Sequence, residues 1–316
     1  MKIDDLYAAK KRIQPYLAQT PLLLSSLLTK TLNQNIWLKL ETQQLTGSFK
    51  TRPAFNNILM HLAKARAQGV IASSSGNFAQ GVAYAARELN IKSMIVMTEN
   101  TSLYKIERTK QLGAEVVLCG NSYEARHQTT DQLAKETGRL LLHAYDADET
   151  IAGDGTIGLE VSDALGETLN HEMAVLVPVS GGGLIAGIAL ALKTLHPHCR
   201  MIGVQPEKNG SLAAALQSGK CVPIGPVQTI ADALVASMTG EKPFALIQKY
   251  VDDVVLVTEE EIELATQFLI EQHKLVVEPG GAVTIAALLA KKVLTKNCVC
   301  IISGGNIHLW APLIIN

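Results

Sequence analysis

The chain has 316 residues, of which 47% are hydrophobic and 18% charged, and its formal net charge is -1. A chain of that length holds a large core and favours two lobes over one unit, and its near-neutral balance gives no electrostatic footprint for nucleic acid or an anionic membrane. The N-terminal MKIDDLYAAKKRIQPYL carries charges throughout and no apolar signal core, and no window reaches about 18 uninterrupted apolar residues, so the expectation is a cytoplasmic protein with small-molecule partners.

In chain order, short β-rich runs alternate with longer helical patterns. NIWLKLE, GVIASSS, KSMIVM, AEVVLCG, RLLLHA, MAVLVPV, RMIGVQP, VVLVT and VCIIS read as strands. FAQGVAYAARELN, LYKIERTKQLG, YEARHQTTDQLAKETG, LIAGIALALKTLH and EEIELATQFLIEQHK carry apolar residues at helical spacing. Gly113, Gly138 and Gly219 fall where helices should stop. The alternation predicts an α/β protein with parallel sheets covered by helices on both faces. Three strand–helix units between about Gly69 and Tyr145 suffice for a small sheet of their own. Of the five cysteines, Cys298 and Cys300 alternate on one face of an apolar run, and no C-x-x-C or paired histidines suggest zinc. Reduced thiols are expected.

Ligands of open parallel sheets sit beyond the carboxyl ends of strands, where loops enter helices. Four such loops have distinctive chemistry. TGSFK places Lys50 after a turn and an aromatic, with Arg52 and Pro53 where a helix begins. SSSGNFAQG, from Ser73 to Gly81, offers backbone N–H groups at a helix start to an anion such as a carboxylate. PVSGGGLIAG, from Pro178 to Gly187, has three successive glycines, which allow a nest of donors for a phosphate. SGGN, from Ser303 to Asn306, directly follows a strand. Each loop has a plainer reading: a solvated lysine, a helix cap, a glycine turn, a strand exit. Their joint occurrence shifts the balance, because a phosphate nest, a carboxylate loop and a shielded lysine are complementary requirements of one site. Gly181, Gly183 and Gly187 also fit G-x-G-x-x-x-G, with Glu207 near the offset of a ribose-binding acid. That NAD(P)-binding alternative leaves TGSFK unexplained.

Taken together, LETQQLTGSFKTR, SSSGNFAQG, AGDGTIGLE, PVSGGGLIAG, TIADAL, VEPGGA and SGGN resemble the fold-type II pyridoxal-phosphate enzymes, the tryptophan synthase β-like family. Within it the pattern is similar to the threonine/serine dehydratase and serine racemase branch. The resemblance spans nearly the whole chain. It implies a two-lobed α/β fold, with residues 1–68 and 146–316 as the large cofactor-binding domain and 69–145 as a small substrate-side domain. It further implies that Lys50 holds pyridoxal 5'-phosphate as a Schiff base, with Phe49 beside the ring, Asn77 on the ring hydroxyl and Ser303 facing the pyridine nitrogen. Ser180, Gly181, Gly182, Gly183 and Leu184 would hold the phosphate. Ser74, Ser75, Gly76 and Asn77 would grip the substrate carboxylate. Ser75 matches the residue that racemases place on the ring face opposite the lysine, and a homodimer is implied by the family alone.

The physical reading agrees with these roles. A lysine must be neutral to attack an aldehyde, so its amine needs desolvation, which Phe49 offers, or nearby positive charge, which Arg52 offers. The expected reaction is loss of the α-proton to Lys50 and of a β-hydroxyl, giving a 2-oxo acid and ammonia from a small hydroxy amino acid such as threonine or serine. The alternatives are a serine or amino-acid racemase of the same fold, an ammonia-lyase for a different β-hydroxy amino acid, and a non-catalytic cofactor-binding protein. Retention of Lys50 and Ser303 argues against the last.

Four features depart from the family. Pro53 replaces a usual glycine but suits a first helical turn. Phe78 stands where close relatives have histidine, and reads either as wall packing or as a more apolar substrate pocket. Ser180 replaces the first of four glycines. Gln205, Asn209 and Ser211 occupy the places of a divalent-cation site without a charge among them, so no metal is expected. With the sequence ending at Asn316, no appended allosteric domain is expected either.

Overall fold

The computed structural model describes residues 1–225 and 228–307. Among the described residues, the strands β1 (Leu22–Leu24), β2 (Asn35–Leu40), β3 (Val70–Ser73), β4 (Ser93–Thr98), β5 (Glu115–Cys119), β6 (Leu140–Leu142), β7 (Met173–Pro178), β8 (Arg200–Pro206), β9 (Asp253–Val257) and β10 (Asn297–Ile302) form two sheets. The larger runs β1-β2-β10-β7-β8-β9. It is parallel except at its edge, where β1 pairs antiparallel with β2. The smaller, β5-β4-β3-β6, is parallel throughout.

Strand composition explains both sheets. All six residues of β7, MAVLVP, are buried, as a strand covered on two faces requires. In β10, Cys298, Cys300 and Ile302 point to the face packed by helices Glu259–Glu271 and Pro279–Leu289. Val299 and Ile301 point to the opposite face, under helix Gly183–Leu195. This is the period of two that the cysteine spacing indicated. All five cysteines are free thiols. The small sheet is covered on one side by helix Asn77–Glu88 and on the other by Leu133 and Ala134 of helix Tyr123–Thr137. Gly138 and Gly219 end their helices in the left-handed conformation, at φ 68° and 70°.

Two elements run against local sequence signals. The three-residue edge strand β1 has no alternation to mark it. Helix Asp148–Leu165 has glycines in its interior, which cost about 1 kcal/mol each relative to alanine. Packing explains them. A Cβ at Gly153 would stand 2.6 Å from the Pro53 Cα, and one at Gly158 2.8 Å from the Ala191 Cβ. Pro53 lies within the first turn of helix Thr51–Met60, and its backbone forms half of the close contact at Gly153. Among the described residues, no helix is long and apolar enough to cross a membrane.

The carboxyl ends of β3, β7 and β10 lead into the Ser73–Gly81, Ser180–Leu184 and Ser303–Asn306 loops, and the turn after β2 leads to Lys50. These four segments meet around one cavity.

Candidate active site

The cavity measures about 670 Å³ and is walled by both sheets, a size suited to a small organic ligand. Phe49, Lys50, Ser74, Ser75, Gly76, Asn77, Phe78, Ser180, Gly181, Gly182, Gly183, Leu184 and Ser303 all line it.

Lys50 caps the start of helix Thr51–Met60 and donates from Nζ to the Ala144 carbonyl at 2.7 Å. Its amine stands 4.7 Å from the Phe49 ring centroid and 5.6 Å from that of Phe78. Burial among these groups lowers the lysine's pKa, and the carboxyl of Asp154 opposes the shift without reversing it. Arg52 does not supply the positive charge expected of it. Its guanidinium is closed by Glu41, at 2.8 and 2.9 Å, and by Glu160, at 2.6 and 3.0 Å. Helix Asn77–Glu88 comes so near the lysine that a Cβ at Gly81 would sit 2.7 Å from the Lys50 carbonyl oxygen. The last glycine of SSSGNFAQG is therefore a packing requirement of the lysine turn.

Opposite the amine, Gly182 takes φ +96° and Gly183 begins helix Gly183–Leu195. This is the left-handed turn that aims successive N–H groups at one point, reinforced by the positive end of the helix dipole. Tyr145 closes the outer side: a Cβ at Gly183 would meet its carbonyl oxygen at 3.0 Å, and one at Gly181 would run into its ring. The cradle is thus bare backbone because nothing larger fits. Ser180 Oγ accepts the Ala236 N–H at 3.0 Å, leaving its own proton to donate. A buried amine of lowered pKa in one cavity with a nest of uncharged donors fits pyridoxal phosphate, whose aldehyde needs the first and whose phosphate needs the second.

The Ser73–Gly81 loop makes the helix cap of its plainer reading and keeps Ser75, Gly76 and Asn77 on the cavity wall. Ser74 Oγ accepts the N–H groups of Gly76 and Ala79, at 3.3 and 3.2 Å, and so caps the helix. Ser75 and Asn77 turn to other partners. Ser75 Oγ accepts from Thr101 Oγ1 at 2.8 Å and from Arg126 Nη1 at 3.3 Å. Asn77 Nδ2 donates to Glu278 at 2.5 Å, and its Oδ1 accepts from Asn306 at 2.7 Å, so the second and fourth loops are tied together. Phe78 is 2% exposed and belongs to the small-sheet core, with one edge on the cavity beside Lys50. Ser303 is buried, and its carbonyl accepts the Phe49 N–H at 3.1 Å.

Several groups here carried no assignment from sequence. Glu278 is buried, and burial pushes its carboxyl up to about 7 against the pull of the Asn77 hydrogen bond. Asp154 is fully buried, and neither of its carboxyl oxygens has a protein partner. Burial lifts it to about 7, although Lys50 and Arg52 both favour its charged form. An acid inside the apolar AGDGTIGLE, and another before PGG in VEPGGA, were the available signals. Arg126 and Thr101 had none, since only the fold brings them to Ser75. His143 accepts the N–H groups of Tyr145 and Asp146 at Nδ1 and, with burial, is held neutral.

The dinucleotide alternative finds no geometry to match. Glu207 is exposed after β8, outside the cavity, and Gly187 lies where helix Gly183–Leu195 meets Gly155. Gln205 and Asn209 are committed to internal bonds. Gln205 holds Ser211 and the N–H groups of Leu212 and Ala213, and Asn209 holds the Leu234 carbonyl.

Comparison with known proteins agrees with the geometry. The family model for pyridoxal-phosphate dependent enzymes matches residues 13–304. An L-threonine ammonia-lyase of Thermotoga maritima is 41% identical over 308 residues, 97% of this chain and 76% of that protein. A catabolic L-threonine dehydratase of Staphylococcus aureus is 40% identical over 315 residues, 98% of this chain and 90% of that one. Among solved structures, maize serine racemase superposes with a TM-score of 0.92 at 32% identity, covering 98% of this chain and 94% of that one. A threonine deaminase from tomato, Solanum lycopersicum, superposes with a TM-score of 0.88 at 33% identity, covering 98% and 92%. The chain therefore belongs to the fold-type II family of pyridoxal-phosphate-dependent enzymes.

Proposed function

We propose that the protein deaminates a small β-hydroxy amino acid, L-threonine or L-serine: water is eliminated, and hydrolysis of the released enamine takes one water back and frees ammonia, leaving a 2-oxo acid. The observation that carries this reading is the buried amine of Lys50, its pKa lowered by desolvation, in one cavity with the Ser180–Leu184 cradle. The threonine-specific names of the relatives at 40–41% identity support it.

Pyridoxal phosphate, when bound, supplies an electron sink that acidifies the substrate's α-proton. The amides of Ser180–Leu184 hold its phosphate group without bringing a fixed charge. Lys50 Nζ takes the α-proton, a role favoured by the burial that lowers its pKa and so eases loss of its own proton. Ser74, Ser75, Gly76 and Asn77 orient the substrate carboxylate at the start of helix Asn77–Glu88. Ser303, on the cavity wall, would offer a neutral hydroxyl to the pyridine nitrogen. A carboxylate there would keep that nitrogen protonated and favour long-lived carbanions over prompt loss of the β-hydroxyl. Phe49 and Phe78 keep water from the amine.

A racemase is the second reading, favoured by Ser75. Its oxygen accepts from a guanidinium and a hydroxyl, which stabilises negative charge on it. The two readings separate on products. With L-threonine and L-serine, the elimination reading expects 2-oxo acid and ammonia in equal amounts. Accumulation of the D-enantiomer, with little oxo acid, would sink it.

The same proposal assigns residues 1–68 and 146–316 to a cofactor lobe and 69–145 to a substrate lobe, as the two separate sheets support. It also takes the protein to be a cytoplasmic homodimer. The neighbouring exposed side chains of Leu23, Leu24 and Leu27 offer an apolar surface for a second copy.

A further inference from the structure

Asp154 is used by none of the steps above, yet it stands directly behind the anion cradle. A Cβ on Gly183, the first residue of helix Gly183–Leu195, would lie 3.2 Å from Asp154 Oδ2. The side chain is 0% exposed, and both oxygens lack a protein partner. A buried polar group without a partner costs free energy, most of all when charged. Here the charge would also compete with the phosphate group for the positive end of one helix.

The surroundings set the sign. Lys50 and Arg52 favour the carboxylate, and Glu41 disfavours it. Arg52 is already committed to Glu41 and to Glu160, two turns along Asp154's own helix. Helix Gly183–Leu195 presents Gly183 and Gly187 to this face, and helix Ile3–Ile13 presents Leu6 at neighbouring Gly155. Such a carboxyl is balanced near neutral pH, and an added anion on the far side of Gly183 tips it.

We propose that Asp154 takes up a proton when the phosphate group of the cofactor occupies the Ser180–Leu184 cradle, so that cofactor retention is coupled to pH through this side chain. The step is a simple protonation: solvent supplies the proton, one carboxyl O–H bond forms, and the negative charge behind the cradle disappears as the ligand's charge arrives. Release of the cofactor returns the proton. The inference rests on the cradle's assignment to the phosphate, and concerns retention, not turnover.

The test measures pyridoxal phosphate affinity of the full-length protein between about pH 6.5 and 8.5, for the wild type and for Asp154→Asn. Linkage makes a group that gains a proton on binding weaken binding as pH rises, by up to about tenfold in Kd per pH unit above its free pKa. Lys50 feels the charge of Asp154, so the pair is also compared in a Lys50→Ala background, where the phosphate titrates alike in both proteins and the ratio of the two Kd values isolates Asp154. The expected result is a ratio of wild type to variant that climbs across the range. A flat ratio overturns the proposal while leaving the cofactor assignment standing, and failure of both proteins to bind at any pH overturns the assignment with it. Should Asp154→Asn not fold, infrared spectra of the wild type decide. At alkaline pH the cofactor-loaded protein should show more signal from protonated carboxylic acid than the stripped protein, and no increase overturns the proposal.

Discussion

Two pairs of buried acids lie within the same interior and are treated in opposite ways. Glu41 and Glu160 are surrounded by cations: Arg52 bonds both, and Lys39 adds a further bond to Glu160. Burial works against the charge on Glu160, but Arg52 and Lys39 win and hold its pKa below the usual value. Asp154 and Glu278 have no cation in bonding contact, and burial raises both to about 7. The difference teaches where charge is structural and where it is left adjustable. The paired acids fix helix Thr51–Met60, and with it Lys50, against helix Asp148–Leu165. The adjustable acids stand behind the anion cradle and beside Asn77, where a fixed negative charge would oppose a phosphate or a carboxylate.

Lys50→Ala should have the largest effect. It removes the amine that we propose both anchors the cofactor and moves the α-proton, so oxo-acid formation should fall by at least about 10³-fold with circular dichroism unchanged. Retained turnover would show that the paired acids position nothing of consequence. Arg52→Leu attacks the paired side directly. It leaves Glu41 and Glu160 buried beside a single cation, and should cost about 3–5 kcal/mol in urea unfolding. A cost below about 1 kcal/mol would mean that Glu41 and Glu160 do not depend on their partner.

Asp154→Asn should act with the opposite sign. A carboxyl whose folded pKa is raised penalises folding at every pH above that pKa, and the penalty fades to nothing below the ordinary value near 3.8. The cofactor-free wild type should therefore lose stability as pH rises from about 4 to 7, and the variant should lose less, because Glu278 alone of the two raised acids remains. At about pH 8 the variant should be the more stable by roughly 4 kcal/mol, and near pH 4 the two should coincide. Equal stability at both values would place Asp154 with the paired acids. The smallest effect is expected at Phe78→Met, which keeps the wall beside Lys50 apolar and should change stability by less than about 1.5 kcal/mol. A large loss of threonine turnover in that variant would mean that Phe78 shapes the substrate pocket as well as the core.

Much of this was legible in the sequence because it depends on short segments. Fully apolar strands such as MAVLVP, followed at once by SGGG, announce both a buried parallel strand and the anion nest at its end. TGSFK, SSSGN and SGGN carry their chemistry in the same local way, and Phe49, Lys50, Ser74, Ser75, Gly76, Asn77 and Ser303 all line the cavity. What stayed hidden depends on contacts distant along the chain. Arg52 meets Glu160 across 108 positions, so its spacing from Lys50 wrongly suggested an electrostatic role there. Helix Asp148–Leu165 was concealed by glycines whose reason is the approach of Pro53 and Ala191. Asp154 and Glu278 look like ordinary acids until burial without a cation in bonding contact is seen.

The central claim is that Lys50 is the amine poised for the cofactor. Borohydride reduction of the cofactor-loaded protein, followed by peptide mass spectrometry, tests it most directly. The account predicts a pyridoxyl phosphate adduct on the peptide that contains Lys50, with loss of the protein's yellow colour. An adduct on a different lysine, or none on a protein that binds pyridoxal phosphate, would contradict it.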